Sequence, residues 1–412
     1  MKHSIILFAF CVFLLSCKQQ NKDQEVTKLN TIALQDTLTK HLNTAYKQDA
    51  IMGFSVAIVD KNGLIYDNGF GHTDLKQKLN YTSSTTQNIA SISKTLIGIS
   101  LLKAQELGAL QIDDPINKYL PFKVVNPHYP ETPILIKHLA YHTSSITDLE
   151  DIYDKSYILT KSEHEEHEGV FNYFNLPNTR ISALQFFQNG LSKDGSWYTE
   201  DTFLKSKPGD QRAYSNIAAA LCAQIIANAT GKDYREFTKD YILKPLKMND
   251  SGWSNTDIDS TNRSKLFLDK TMTVADYSLI TFADGGFITS SKDLGLLLSE
   301  FIKAYQGNGT ILHKDSYATL FKKQYYTSEE NLESYGVFLE FRDGFFKNKG
   351  DLIGHNGSDP GVMTAMYFDP NTALGKIMII NTETDYKDDV WPEVESIWTA
   401  LSDFETNLNL QK

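Results

Sequence analysis

Strand-like segments sit at both ends of this 412-residue chain, and helical ones fill the middle. Near the start, Met52 to Asp60 is an apolar strand, Asn62-Gly63 supplies a hairpin turn, and Leu64 to Gly71 returns. From about Tyr335 onward, Val337 to Phe341, Val362 to Asp369 and Leu374 to Asn381 alternate or run apolar with turns between them. Helices are expected over Ser91–Leu107 with Gly108 as C-cap, Ile134–Tyr141, Ile181–Asn189 and Asn216–Thr230 closed by Gly231. Another runs to Ala304 from Ser290, which stands three residues before Asp293 as in a capping box. Amphipathic helices, Thr31–Gln48 and about Val394–Phe404, flank the whole. This order implies one composite fold of the α/β (α+β) class. An antiparallel sheet is built from the N- and C-terminal segments and flanked by helices, with a mostly helical lobe inserted over roughly residues 110–290.

The N-terminus reads as a processing segment. Lys2 is followed by an apolar run, Ile5 to Leu15, of signal-peptide length. Leu14-Leu15-Ser16-Cys17 resembles the lipobox of bacterial lipoproteins. That resemblance implies a signal peptide over 1–16, lipid on the Cys17 sulfur, a polar tether over 17–30, and a place in the cell envelope after export. Lys18 is not the aspartate that retains some lipoproteins at the inner membrane, which points to the outer membrane in a Gram-negative source. The net charge of −11 argues against nucleic acid or anionic lipid surfaces as partners. Beyond Cys17 only Cys222 remains, so no internal disulfide is expected, and its apolar surroundings mark it as a core residue.

Chemistry concentrates in three short motifs. In Ser91-Ile92-Ser93-Lys94 the serine and lysine are three apart, hence neighbours on a helix face. Burial disfavours an ammonium ion, which is what lets a lysine take a serine proton. A second copy, Ser100-Leu101-Leu102-Lys103, begins nine residues on. At about 100° per residue it falls on the opposite face and lacks the helix N-terminus that favours developing negative charge at Ser91. Tyr214-Ser215-Asn216 offers a hydroxyl that can relay a proton and an amide that can bind a carbonyl. Of three Tyr-x-Asn triplets it alone lies between a Pro-Gly turn (Pro208-Gly209) and an apolar helix. The others are Tyr66-Asp67-Asn68 and Tyr173-Phe174-Asn175. His355-Asn356-Gly357 lies in the strand-rich half, where an edge strand could line a cleft and offer N–H groups to an oxyanion. Its rival is His167-Glu168-Gly169.

In this order and spacing, Ser91-x-x-Lys94, Tyr214-x-Asn216 and His355-x-Gly357 resemble the three motifs of the penicillin-recognising serine hydrolases. The nearest branch holds class C β-lactamases, DD-peptidases, and β-lactamase-like esterases and D-aminopeptidases. Flanking text agrees, including Leu110 to Pro121, His138 to Ser144, Pro245 to Met248 and Asp284-Gly285-Gly286. The similarity runs from about Thr31 to Phe404. It implies a β-lactamase/transpeptidase-like fold over 31–406, with no metal and no organic cofactor. It assigns Ser91 as acylated nucleophile, Lys94 as its base, Tyr214 as proton relay and Asn216 as substrate amide binder. His355 and Gly357 would line the cleft, and the N–H groups of Ser91 and Ser358 would form the oxyanion hole. The reaction implied is acyl transfer from an amide or ester of a small-molecule or peptide substrate, including peptidoglycan-derived ones. A true class C-type β-lactamase and a catalytically silent envelope recognition protein are the alternatives. Two departures stand out. Class C enzymes carry lysine where this chain has His355, and glycine is common where it has Ser145.

Other features read as structural. Glu163 to Glu168 is not His-Glu-x-x-His, because its histidines are three apart, and it is expected to be a charged surface. Nearby Phe171, Tyr173 and Phe174 suit either a lid or surface packing. His142 is expected to pack near the active-site helix, and Trp197 and Tyr198 to line either pocket or core.

Overall fold

The computed structural model describes residues 30–46, 50–327, 332–385 and 388–410. The signal segment, most of the tether and Cys17 lie outside the described residues. Nine strands form one antiparallel sheet: β1 (Gly53–Asp60), β2 (Gly63–Asp74), β3 (Leu79–Asn80), β4 (Gln324–Thr327), β5 (Leu332–Gly336), β6 (Leu339–Phe345), β7 (Asn348–Asp359), β8 (Val362–Asp369) and β9 (Leu374–Ile380). Their order is β4-β5-β6-β7-β8-β9-β1-β2-β3. The junction of the two chain ends is β1 against β9, with Phe54 opposite Ile380 and Val59 opposite Gly375. The expected class is borne out: the last strand of the C-terminal meander pairs with the first strand of the chain.

The centre of the sheet is covered on both faces, which explains why β1, β8 and β9 read as continuous apolar runs. Phe54, Val56, Ile58, Tyr367, Met378 and Ile380 point to one side. There they meet a first helix, α1 (30–45), and the last, α5 (Trp391–Asn409), whose Trp398 is fully buried. Ala57, Val59, Met366, Phe368, Ile377 and Ile379 point to the other side. That side packs on α2 (Lys94–Glu106), α3 (Asn216–Thr230) and α4 (Ser291–Tyr305). Gly295 lets α4 sit close to the sheet, since a Cβ there would stand 2.9 Å from Leu64 Cδ2.

Two expectations need correction, and one strand is not among those expected. Val337 to Phe341 is not one strand: Val337 and Phe338 turn the chain between β5 and β6, Phe338 at φ +51°. Their burial comes from the turn being tucked against α2, where Val337 O would lie 2.6 Å from a Cβ on Gly98. The twelve-residue β7 has no apolar pattern, yet it pairs with β8 along its whole second half. Backbone approach decides there, because a Cβ on Gly354 would lie 1.9 Å from Met366 O. Finally, α2 begins at Lys94, and Ser91 sits before it in a 3₁₀ turn, Ala90–Ser93. By contrast, α3 spans the expected residues and ends on left-handed Gly231.

Ser145 adopts φ +65°, the region that favours glycine. Its Oγ accepts from Asn126 Nδ2 (2.8 Å) and donates to the Ser144 carbonyl. The left-handed conformation costs an L-residue about 1–2 kcal/mol, and these hydrogen bonds return a similar amount. Ser145→Gly should therefore leave the unfolding free energy from urea titration within about 1 kcal/mol of wild type. Ser145→Val, β-branched and without the hydroxyl, should cost about 2–3 kcal/mol.

Candidate active site

Ser91 is held at the meeting point of α2, the sheet and the helical lobe. Thr364 Oγ1 of β8 donates to the Ile89 carbonyl (2.9 Å), and Ser93 Oγ accepts from Phe287 N (3.1 Å). Between these anchors Ala90 is forced to φ +47°, an uncommon conformation for alanine that turns the chain sharply before the serine. A Cβ on Gly357 would stand 2.6 Å from Ser91 N and 2.9 Å from Ile89 O, so β7 can lie against this turn only with glycine there.

Lys94 is completely buried at the start of α2. Its Nζ donates to Ser91 Oγ at 2.9 Å and to the Asp284 carbonyl at 2.7 Å, and lies 5.0 Å from the ring centre of Tyr214. Serine, lysine and tyrosine thus converge on one point. The rival Lys103 pairs with Glu106 (2.8 Å), and Ser100 is enclosed in the core.

Tyr214 is 36% exposed, and its hydroxyl makes no hydrogen bond among the described residues. What fixes it is its surroundings. Ser215 caps α3, its Oγ accepting from Ala218 N (3.0 Å) and donating to Asp148 Oδ1 (2.7 Å). Asp148 Oδ2 accepts from Asn216 N (2.6 Å), so a half-buried carboxyl sits on the helix N-terminus. Behind Tyr214 stacks His142, ring centres 4.5 Å apart, with Nδ1 accepting from Ser215 N (3.2 Å). Burial, then the positive charges of Arg212 and Lys94, push the His142 pKa well down, so a neutral ring backs the tyrosine. His142 therefore packs on the tyrosine itself, closer to the chemistry than the sequence reading placed it.

His355, Gly357 and Ser358 lie on β7. Pairing of β7 with β6 ends at Gly354, so residues 355–359 are bonded to β8 on one side and are locally an edge toward Ser91. His355 is buried, its ring centre 6.2 Å from that of Tyr214. Burial lowers its pKa despite the opposing pull of Glu340, and its Nδ1 donates to the Asn356 carbonyl. The imidazole is neutral, with Nε2 free to accept. Ser358 Oγ donates to Asp385 Oδ1 (2.7 Å) at the surface.

Two buried acids nearby were not singled out from sequence. Asp284 accepts from Tyr153 Oη (2.7 Å), and Asp359 from Tyr157 Oη (2.8 Å). Burial raises Asp284 to about 6, with Lys94 pulling the other way. Burial raises Asp359 to about 7, helped by Asp284 and opposed by Tyr157 and Lys94. Asp284 stands in a segment already quoted as motif text, and Asp359 follows the third motif by two residues. Beside glycines, however, an aspartate reads as a turn residue.

The remaining candidates are structural. Tyr66 Oη bonds Thr39 Oγ1 (2.9 Å), and Asn175 Nδ2 serves the carbonyls of Asp154, Tyr157 and Tyr173. His167 pairs with Lys76 and Glu165 on an irregular surface segment. Phe171, Tyr173 and Phe174 are half-buried in a cluster with Tyr157, Tyr277 and Ala90, so they pack in the same cluster as the residue before Ser91. Trp197 packs on Phe186 and Tyr198 against Phe203, in the helical lobe. Cys222 is buried in α3, and burial pushes its thiol up.

With this fold and this cluster in place, comparison with known proteins is direct: the chain matches the model of the Beta-lactamase family over residues 34–395 and belongs to that family. It is similar to Protein flp of Staphylococcus aureus (strain MW2), 25% identical over 362 residues, which cover 85% of this chain and 63% of that protein. The chain thus spans less than two thirds of that relative. It is 22% identical over 358 residues to the D-alanyl-D-alanine-carboxypeptidase/endopeptidase AmpH of Escherichia coli (strain K12), covering 84% of this chain and 83% of AmpH. Its fold is shared with an octameric penicillin-binding protein homologue from Pyrococcus abyssi (TM-score 0.66, 22% identity, 90% and 77% of the two chains). It is shared too with D-amino acid amidase from Ochrobactrum anthropi SV3 (TM-score 0.63, 20% identity, 90% and 98%).

Proposed function

We propose that this protein is a serine hydrolase that cleaves amide or ester bonds through an acyl-enzyme, with D-amino-acid-containing peptides or amides as the substrate class. The observation that carries it is the 2.9 Å contact between Ser91 Oγ and the buried Lys94 Nζ, beside a strand edge that only glycine lets approach. In its proton-free form Lys94 takes the Ser91 proton as Oγ attacks the carbonyl carbon. The oxyanion forms against the N–H groups of Ser91 and Ser358. Tyr214, with its hydroxyl unengaged, passes the proton to the departing amine or alcohol, and Asn216 holds a substrate carbonyl. Water then enters, returns a proton by the same relay and releases the acid.

A peptide-type substrate is supported by the neutral His355. A β-lactamase site would present a positive charge there to the drug's carboxylate, and burial holds this imidazole uncharged. The printed activities of AmpH and of the amidase point the same way. Export, lipid attachment at Cys17 and an envelope location follow from the lipobox-like sequence and suit such substrates. A direct test is turnover of a D-Ala-D-Ala peptide, a D-amino-acid amide, a short ester and nitrocefin at equal concentration. The peptide or amide should exceed nitrocefin by at least about tenfold in kcat/KM, the size of one charged contact. Nitrocefin as the best substrate overturns the assignment.

A further inference from the structure

Outside the catalytic cluster, a cavity of ≈ 260 Å³ is lined by Arg180, Arg235 and Arg263, and by no carboxylate. That is unexpected in a chain of net charge −11. Arg263 forms the floor, donating to Asn88 Oδ1 (3.0 Å) and to Asn255 Oδ1. Arg235 lies over the Phe282 ring, its guanidinium carbon 3.9 Å from the ring centre. Arg180 donates to Ser278 Oγ. The acids nearest these groups are peripheral: Asp276 Oδ1 is 3.7 Å from Arg263, and Asp233 Oδ2 is 3.8 Å from Arg235, both more than half exposed. Arg180 has no carboxylate within ion-pair distance among the described residues.

We propose that this cavity is a binding site for a small phosphomonoester, such as a glycerol or sugar phosphate. Three guanidinium forks converge on one space, and planar forks match the oxygens of phosphate in paired hydrogen bonds. A phosphomonoester carries nearly two negative charges at neutral pH, set here against three arginines and two exposed, peripheral aspartates. Thr160, Ser254 and Ser278 also line the space; their hydroxyls already bond the Asp276 carbonyl, Asp257 and Arg180, and a polyol could add to these bonds as a donor. The volume is just below the roughly 300–1,000 Å³ of pockets for drug-sized ligands, which sets the scale of the molecule. Partial burial, then the neighbouring Arg235, hold the Arg180 guanidinium below its ordinary value. The site shares no lining residue with the catalytic cluster. Phe282 and Gly286 of its wall, however, bracket Asp284, whose carbonyl receives Lys94.

Binding can be read without any hydrolysis assay. Calorimetric titration of the purified protein with glycerol 3-phosphate should give saturable binding that glycerol and matched sodium chloride do not. Arg180→Gln and Arg235→Gln should each weaken it at least tenfold. The ligand-free Tm of Arg180→Gln should be unchanged or higher, since the variant loses a repulsion and no ion pair. Sedimentation with phosphatidate vesicles tells the source apart: binding to vesicles and not to the free ester assigns a lipid headgroup. No binding to either form, affinity unaltered in both variants, or a lowered Tm in Arg180→Gln would mean that the arginines serve only to tie loops together.

Discussion

Ser91→Ala is expected to abolish turnover, by roughly 10⁴–10⁶-fold in kcat, and to remove covalent labelling by a fluorophosphonate or labelled penicillin. Lys94→Met, which keeps the length of the buried side chain, should do the same to turnover. The double variant should be no worse than either single one, because the two groups act as a unit. The reason is geometric: Lys94 Nζ makes one side-chain hydrogen bond, to Ser91 Oγ, and its other bond is to the fixed carbonyl of Asp284. Ser100→Ala should leave activity near wild type, since Ser100 is enclosed in the core and Lys103 is committed to Glu106. Intact-mass measurement after labelling, with peptide mapping, checks each statement. A label that survives Ser91→Ala, or maps to Ser100, sinks the assignment.

What could be read in the sequence divides along a physical line. Periodicity and caps found α3 and the β1–β2 hairpin, because those elements are specified by their own residues: Ser215 and Gly231 bound the helix, and the turn is Lys61-Asn62, one residue earlier than Asn62-Gly63, with Gly63 opening β2 opposite Asp60. Helical phase set Ser91 against Ser100 on the assumption of one continuous α-helix, whereas Ser91 lies in the 3₁₀ turn before it; what separates the two copies is that Ser100 is enclosed in the core and Lys103 is paired with Glu106. Illegible were the features decided by contacts distant in sequence. Strand β7 is polar and glycine-rich; its composition follows from the distant Ser91 turn, which leaves room for nothing larger than Gly357. His142 could be placed near the site, yet its stacking on Tyr214 depends on a turn with φ +55° at the histidine itself. Asp284 and Asp359 lie 75 residues apart and become neighbours only when the helical lobe closes on the sheet. The arginine cavity, likewise, draws its three cations from separate segments of the lobe.

Those two acids carry the second large effect, on stability. Asp359 is raised by burial from an ordinary carboxylate value to about 7. An acid whose folded value lies above its unfolded one stabilises the fold below the unfolded value, and that contribution is lost as pH rises through the folded one. The window here runs from about pH 4 to about pH 7, and one pH unit of displacement corresponds to about 1.4 kcal/mol. The whole effect is thus on the order of 3–4 kcal/mol, shared with Asp284 because the two carboxyls repel and titrate as a pair. Asp359→Asn keeps an oxygen to accept from Tyr157 and removes the charge. Urea unfolding should show the variant gaining on wild type as pH rises from 4.5 to 8, by on the order of 2–3 kcal/mol across that range. Carboxylates held low elsewhere, such as Asp74 beside Lys265, push both proteins the opposite way and cancel in the difference. A difference that stays flat with pH would show that the Asp359 carboxyl is ionised in the folded protein at no cost. Lys94 would then face a fixed negative charge in place of a titrating one.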